Sequence, residues 1–366
     1  MTDRLQPLRH DLRLPTIRFA AWRWSPPAGG QSLGRRLVIL HGVTASALGF
    51  AEVADAIAHD GWTVDALDLP GHGATRWIGP DGEPLADQES VGAGAYDLEK
   101  VGRLVADAVR ALPPAVPSGA GNGQVRPRAD DAAGADGAPA WPAASAGRGH
   151  GEPAAMIPAG GSAAGGSAAG ESAAAPVILG HSWGSGVAMA AIDAEAPAER
   201  LVLLDPPFLT PDQGIEMAEG FRAQLADAQL ADGVRWERAE VAQARAFVTA
   251  TKPGLSGDEI EARVRELTDT SPGAVDAIAR GAPMDPIGMM ASWRSRHPDL
   301  PVDVIAGDPE AGGLVPHHVQ GLLRMALGDD RVHVLDGLGH SPQHEDVGRL
   351  LEVLRAVLRS AVPEPG

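Results

Sequence analysis

Short, wholly apolar runs alternate along this chain with longer stretches of helical period. Leu37-Val38-Ile39-Leu40 lies between Arg36 and His41-Gly42, as expected of a strand buried on both faces. Before it, Thr16 to Trp24 alternates like a half-exposed strand and ends at Pro26-Pro27-Ala28-Gly29-Gly30. After it, Phe50, Val53, Ala54 and Ile57 share one face of a predicted helix over 45–59. A strand over 62–67 stops at Pro70-Gly71, and a helix from Tyr96 to Leu112 stops at Pro113-Pro114. The alternation resumes with strands over 176–180, 201–204, 302–306 and 331–335. Helices are predicted over 185–194 and from Gln343 to Leu358. Strands interleaved with helices predict the α/β class, with a mostly parallel central sheet and helices on both faces.

Two stretches interrupt this rhythm. Residues 113–175 are almost entirely Ala, Gly, Pro and Ser, too poor in bulky apolar groups to offset their ordering entropy, and read as a disordered insertion. The pattern beyond continues rather than restarts, so the segment is a long surface loop, which adds little closure entropy. Residues 207–298 are mostly helical in pattern, with breaks at Pro253-Gly254 and Pro272-Gly273, and are expected to form a helical cap inserted after Asp205. The core is thus assigned to 1–112, 176–206 and 299–366.

Composition narrows the functional classes. The 366 residues are 44% hydrophobic and carry a net charge of -18, which argues against nucleic acid or an anionic membrane as a general partner. The chain has no cysteine, so a disulfide framework, thiolate metal ligation and a Cys nucleophile are excluded. It offers no signal-like apolar run and no apolar stretch of membrane-spanning length, and the expected location is the cytoplasm.

The chemistry centres on Gly180-His181-Ser182-Trp183-Gly184. The pentapeptide alone also fits an ordinary Gly-rich turn with a surface serine. Its setting, after an apolar strand and before a helix of small residues, suits a nucleophile on a strained turn where bulkier neighbours would clash. A serine nucleophile needs a base and oxyanion donors. His340, in Gly339-His340-Ser341 after the last predicted strand, lies at the same sheet edge, and its alternative is a solvated loop histidine. His344, one helical turn on, is the lesser candidate. A metal site from His317, His318, His340 and His344 lacks accompanying carboxylates. The backbone N–H groups of Trp183 and of Val43, in the loop His41-Gly42-Val43, are the expected oxyanion donors. His72, in Asp68-Leu69-Pro70-Gly71-His72-Gly73, reads as a structural turn residue.

In order and spacing, His41-Gly42-Val43, Asp68 to Gly73, Gly180 to Gly184 and Gly339-His340 resemble the α/β-hydrolase superfamily, in its serine-nucleophile, esterase- and lipase-like branch. The resemblance spans residues 15–360 apart from the insertion. It implies the order serine, acid, histidine, with the acid after the strand ending at Ala306-Gly307. Both Asp308 and Glu310 stand there. The commonest family spacing selects Glu310, whereas relatives with a Gly-Asp-Pro turn select Asp308, which is preferred here for its shorter side chain. Asp205, at the end of the preceding strand, is a third option. Ser185 departs from the family pattern, in which a second glycine often follows the elbow.

The cap is rich in Met and aromatic residues, most of them expected in its core. Met284, Met289 and Met290 are the expected lining of an apolar pocket over Ser182. The resulting expectation is a cofactor-free serine hydrolase of an ester, thioester or related acyl bond in a small apolar substrate. The same residues would also serve a C–C hydrolase, an acyltransferase or a cofactor-free peroxidase, and a non-catalytic ligand binder is the alternative outside enzymes.

Overall fold

A computed structural model describes residues 4–86, 88–116, 174–208, 212, 216, 219–220, 241–251, 257–275 and 286–360. The sheet has nine strands: β1 (Leu8–Arg13), β2 (Ile17–Trp24), β3 (Arg36–Leu40), β4 (Thr63–Leu67), β5 (Arg76–Trp77), β6 (Val177–His181), β7 (Arg200–Leu204), β8 (Val302–Gly307) and β9 (Val332–Leu335). Their order is β1-β2-β4-β3-β6-β7-β8-β9, with the short β5 paired to β2. The hairpin of β1 with β2 and the β2–β4 pair are antiparallel, and every neighbouring pair from β4 to β9 is parallel.

The apolar runs explain the burial. In β3, β6 and β7 successive side chains point to opposite faces. Val38, Leu40, Ile178, Leu201 and Leu203 therefore enter one core, and Leu37, Ile39, Val177, Leu179, Val202 and Leu204 the other. Helices α1 (Ala51–His59) and α9 (Val347–Arg359) cover the second face, while α2 (Leu98–Ala111) and α3 (Trp183–Asp193) pair over the first. After β7 come α4 (Val241–Thr251), α5 (Gly257–Asp269) and α6 (Pro286–Arg296), within the stretch expected to be the cap. Helices α4 and α5 pack together and are bridged by the bidentate Arg245–Glu261 pair. The last helices are α7 (His317–Leu327), the short α8 (Pro342–Glu345) and α9.

Three expectations are corrected. β2 is buried nearly throughout rather than half-exposed. Arg23, the polar position that made it look amphipathic, is buried in a bidentate pair with Asp65 at 2.7 and 2.9 Å. The predicted helix over 343–358 is two helices, because Asp346 leaves helical geometry and its carboxylate caps α9 by accepting from Arg349 N–H. Residues 113–116, assigned by composition to the insertion, are bonded to the core. Pro113 and Pro114 carbonyls accept from Arg23, and Val116 bonds Ser32 and Thr63. Residues 117–173 of that insertion lie outside the described residues.

From β3 the chain steps to β4 on one side, while β6 lies on the other. The loops leaving β3 and β6 thus diverge at a switch point, where open parallel sheets place a crevice at the carboxyl ends of the strands. The insertion stems, at Val116 beside Thr63 and at Pro176 before β6, are at the opposite end.

Candidate active site

Ser182 joins β6 to α3 in a conformation that side chains rarely adopt, φ 54° and ψ −126°. Such strain is worth on the order of 1–3 kcal/mol and persists only where the surroundings enforce it. Glycine on either side allows the turn to close: a Cβ on Gly180 would lie 2.3 Å from the Gly184 carbonyl oxygen, and one on Gly184 2.3 Å from that of Leu40. Ser185, the departure from the usual glycine, turns its hydroxyl back to donate to the Gly180 carbonyl at 2.7 Å.

His340 follows β9 and reaches this turn. Its Nε2 lies 3.0 Å from Ser182 Oγ and its Nδ1 2.7 Å from Asp205 Oδ2. Asp205 is fully buried at the end of β7, with φ 40°. Its carboxylate also accepts from the backbone N–H groups of Gly307 and Leu314, at 2.8 and 2.9 Å. The carboxylate beside His340 is therefore Asp205, the third option in the sequence, and neither Asp308 nor Glu310. Asp308 is occupied locally. It caps the 3₁₀ turn Pro309–Ala311 by accepting from Glu310 N–H, and accepts from Gly337 N–H at 2.8 Å. These amides hold its carboxyl below the usual range. Glu310 is exposed. Asp-Pro-Glu is a helix-start signature, a capping Asp with Pro at the first helical position, and that role explains both carboxylates.

The loop after β3 lies against the serine. A Cβ on Gly42 would come within 2.9 Å of Ser182 Cβ, so only glycine lets Val43 pass this close. Val43 is buried, and Trp183 opens α3 directly after the serine. His41 accepts from Leu69 N–H at Nε2, so its Nδ1 carries the proton and donates to the Gly42 carbonyl at 2.7 Å. Asp68 ties the next turn to this loop: it accepts from Ala47 N–H, Ala74 N–H and Trp22 Nε1 at 2.8, 2.9 and 3.1 Å.

The neighbouring histidines are uncharged. Burial lowers the pKa of His41 to about 4, and that of His72 to about 3 with help from the nearby His41. His181 is pushed well below the ordinary histidine value, first by burial and then by His340. Its ring lies against that of His340, with centroids 4.9 Å apart, and its Nε2 donates to the His340 carbonyl at 2.8 Å.

The remaining expected residues are dispersed. His344 stands over Gly49, and His317 and His318 are exposed in the first turn of α7. Among the described residues no group of three His, Asp or Glu side chains is placed to hold a metal ion. Met290 is 3% exposed within the core, whereas Met289 is 47% exposed, and Met284 lies outside the described residues. Asp205 is the least conspicuous of the three carboxylates in the sequence because its context is plain. Its signal was a lone carboxylate at the end of an apolar strand, ahead of Pro206-Pro207.

A family model described as the alpha/beta hydrolase family matches residues 37–353. The chain belongs to this family. Solved structures share the α/β-hydrolase fold at low identity. A putative lipase from Acinetobacter baumannii AYE is 15% identical with a TM-score of 0.58, over 97% of this chain and 92% of the other. The N-acyl homoserine lactonase AidH, complexed with N-butanoyl homoserine, is 15% identical with a TM-score of 0.56, over 98% and 99%. The thioesterase domain from the curacin biosynthetic pathway is 16% identical with a TM-score of 0.54, over 96% and 100%. No curated protein matches the chain in sequence. Among the described residues of this α/β hydrolase, no helix is long and apolar enough to cross a membrane.

Proposed function

We propose that this α/β hydrolase cleaves an ester, thioester or related acyl bond through an acyl-enzyme on Ser182. The observation that carries this reading is the unbroken line from Ser182 Oγ to His340 Nε2 and from His340 Nδ1 to Asp205, at 3.0 and 2.7 Å. It meets the geometric requirement for nucleophile, base and orienting acid. As Ser182 Oγ attacks the acyl carbon, its proton passes to His340 Nε2. Asp205 holds the Nδ1 tautomer and stabilises the imidazolium. The oxyanion is received by the Val43 and Trp183 N–H groups, where fixed donors act without reorganising. Collapse breaks the acyl bond, and the leaving oxygen or sulfur takes the proton from His340. Water, deprotonated by His340, then releases the acid and restores the serine.

The neighbours described as a lipase, a lactonase and a thioesterase handle bonds of this kind, which supports the reading by analogy of fold. A fluorophosphonate probe, followed by p-nitrophenyl esters of rising chain length, tests it. Labelling and turnover are expected in the wild type and lost in Ser182→Ala. Folded wild-type protein that neither labels nor turns over would favour a non-catalytic ligand binder.

A further inference from the structure

The segment that carries Val43 is held from both sides. Thr44, directly after Val43, is buried with φ 54°, in the left-handed region that disfavours a β-branched residue. On the core side Asp68 Oδ1 accepts from Ala47 N–H. The other side is held by α5. Arg263 Nη1 donates to the Thr44 carbonyl, and its Nη2 lies 3.3 Å from Thr44 Oγ1. Glu266, one turn further, pairs with Arg263 at 3.1 Å and accepts from Ser46 Oγ at 3.4 Å. It is buried so tightly that a Cβ on Gly49 would lie 3.0 Å from its Oε1. One helical face thus grips the loop over Thr44 to Gly49. The Arg263 charge is balanced within its own helix rather than presented to an anion.

We infer that Arg263 is a positioning residue for the oxyanion donor, through which α5 sets the aim of the Val43 N–H. The inference rests on the acyl-hydrolase reading above. Two bonds to one residue fix both the backbone and the side chain of Thr44. The planar guanidinium fork supplies them together, whereas a lysine ammonium is a single point charge. Without the fork, Thr44 is free to leave its strained conformation and the loop ahead of it relaxes.

The experiment compares wild type, Arg263→Gln and Arg263→Lys on a p-nitrophenyl ester. The same proteins are titrated with a trifluoromethyl ketone, whose adduct with Ser182 bears an oxyanion. For Arg263→Gln, kcat is expected to fall about 10- to 100-fold, a partial loss of one oxyanion donor, with KM little changed. Affinity for the ketone should fall by the same factor, and Arg263→Lys should recover part of both. Should Arg263→Gln fail to fold, the lysine variant keeps the charge opposite Glu266 and still loses the fork. Unchanged kcat with a raised KM would overturn the inference and make Arg263 a substrate ligand. Lost activity with unchanged ketone affinity per folded molecule would overturn it in favour of a purely structural role. Failure of the wild type to label or turn over would instead defeat the hydrolase reading itself, before any variant is made.

Discussion

The two ends of the parallel sheet are built on different principles. At the carboxyl ends of β3, β6 and β7, the residues Thr44, Ser182 and Asp205 all have positive φ. They account for three of the four such non-glycine residues among those described, so backbone strain is concentrated where the reactive groups meet. The buried histidines there are neutral and fixed by backbone partners. At the other end buried charged groups are paired. Asp65 is fully buried between Arg23 at 2.7 Å and Arg36 at 3.2 Å, and Arg200 meets Asp303 at 2.6 Å. One end holds costly conformations for chemistry, and the other fastens β2 and β3 to β4, β7 to β8, and the chain that leaves α2 to the sheet.

The sharpest way to break this contrast is at its carboxylates. Asp205→Asn preserves shape but not the tautomer, and kcat is expected to fall on the order of 10⁴-fold. Asp308→Asn should leave kcat unchanged, since asparagine caps about as well as aspartate. The reverse result in steady-state assays would return the acid to the loop after β8. At the far end, Asp65→Ala removes the carboxylate that faces the buried Arg23 and the half-buried Arg36. A loss of about 3–5 kcal/mol in urea unfolding is expected, with unaltered probe labelling per folded molecule. Reduced labelling of folded protein would mean that the two ends are not independent.

Taken per pH unit, the smallest effect is that of acid. His41 and His72 are protonated more readily unfolded, near 6.5, than folded, at about 4 and about 3. The unfolded chain therefore binds more protons below pH 6.5. The stability these residues contribute is complete above that pH and lost as pH falls, towards about 4 for His41 and about 3 for His72. Each adds a slope of about 1.4 kcal/mol per pH unit within the window. Thermal midpoints for His72→Phe should depend less steeply on pH than the wild type, and equal slopes would refute the assignment.

Much of this was legible in the sequence. The runs that became β3, β6 and β7 are unmistakable because they are buried on both faces, and Ser182 and His340 follow from what surrounds their glycines. The acid was not legible. Asp205 and Asp308 stand at the ends of neighbouring strands, and nothing in a linear pattern says which one the His340 ring will face. The Asp308-Pro309-Glu310 turn offers two carboxylates where the family order expects the acid, although its spacing is that of a helix cap. Arg263 was equally hidden, because its importance lies in a carbonyl more than two hundred residues earlier.

The position of the insertion stems also bears on how the molecule comes to fold. β6 is central and supplies Ser182, yet its partner β3 lies far back along the chain, with Leu37 beside Val177. Halving a loop saves only about 0.6 kcal/mol of closure entropy, so the finished protein tolerates the long span. The rate is more sensitive than the equilibrium, since strands paired across a great sequence separation assemble slowly. Pro113 is anchored to Arg23 of β2 and Val116 to Thr63 of β4, so the chain that leaves α2 is tethered beside the strands next to β3. Such a tether is expected to shorten the search of β6 for β3.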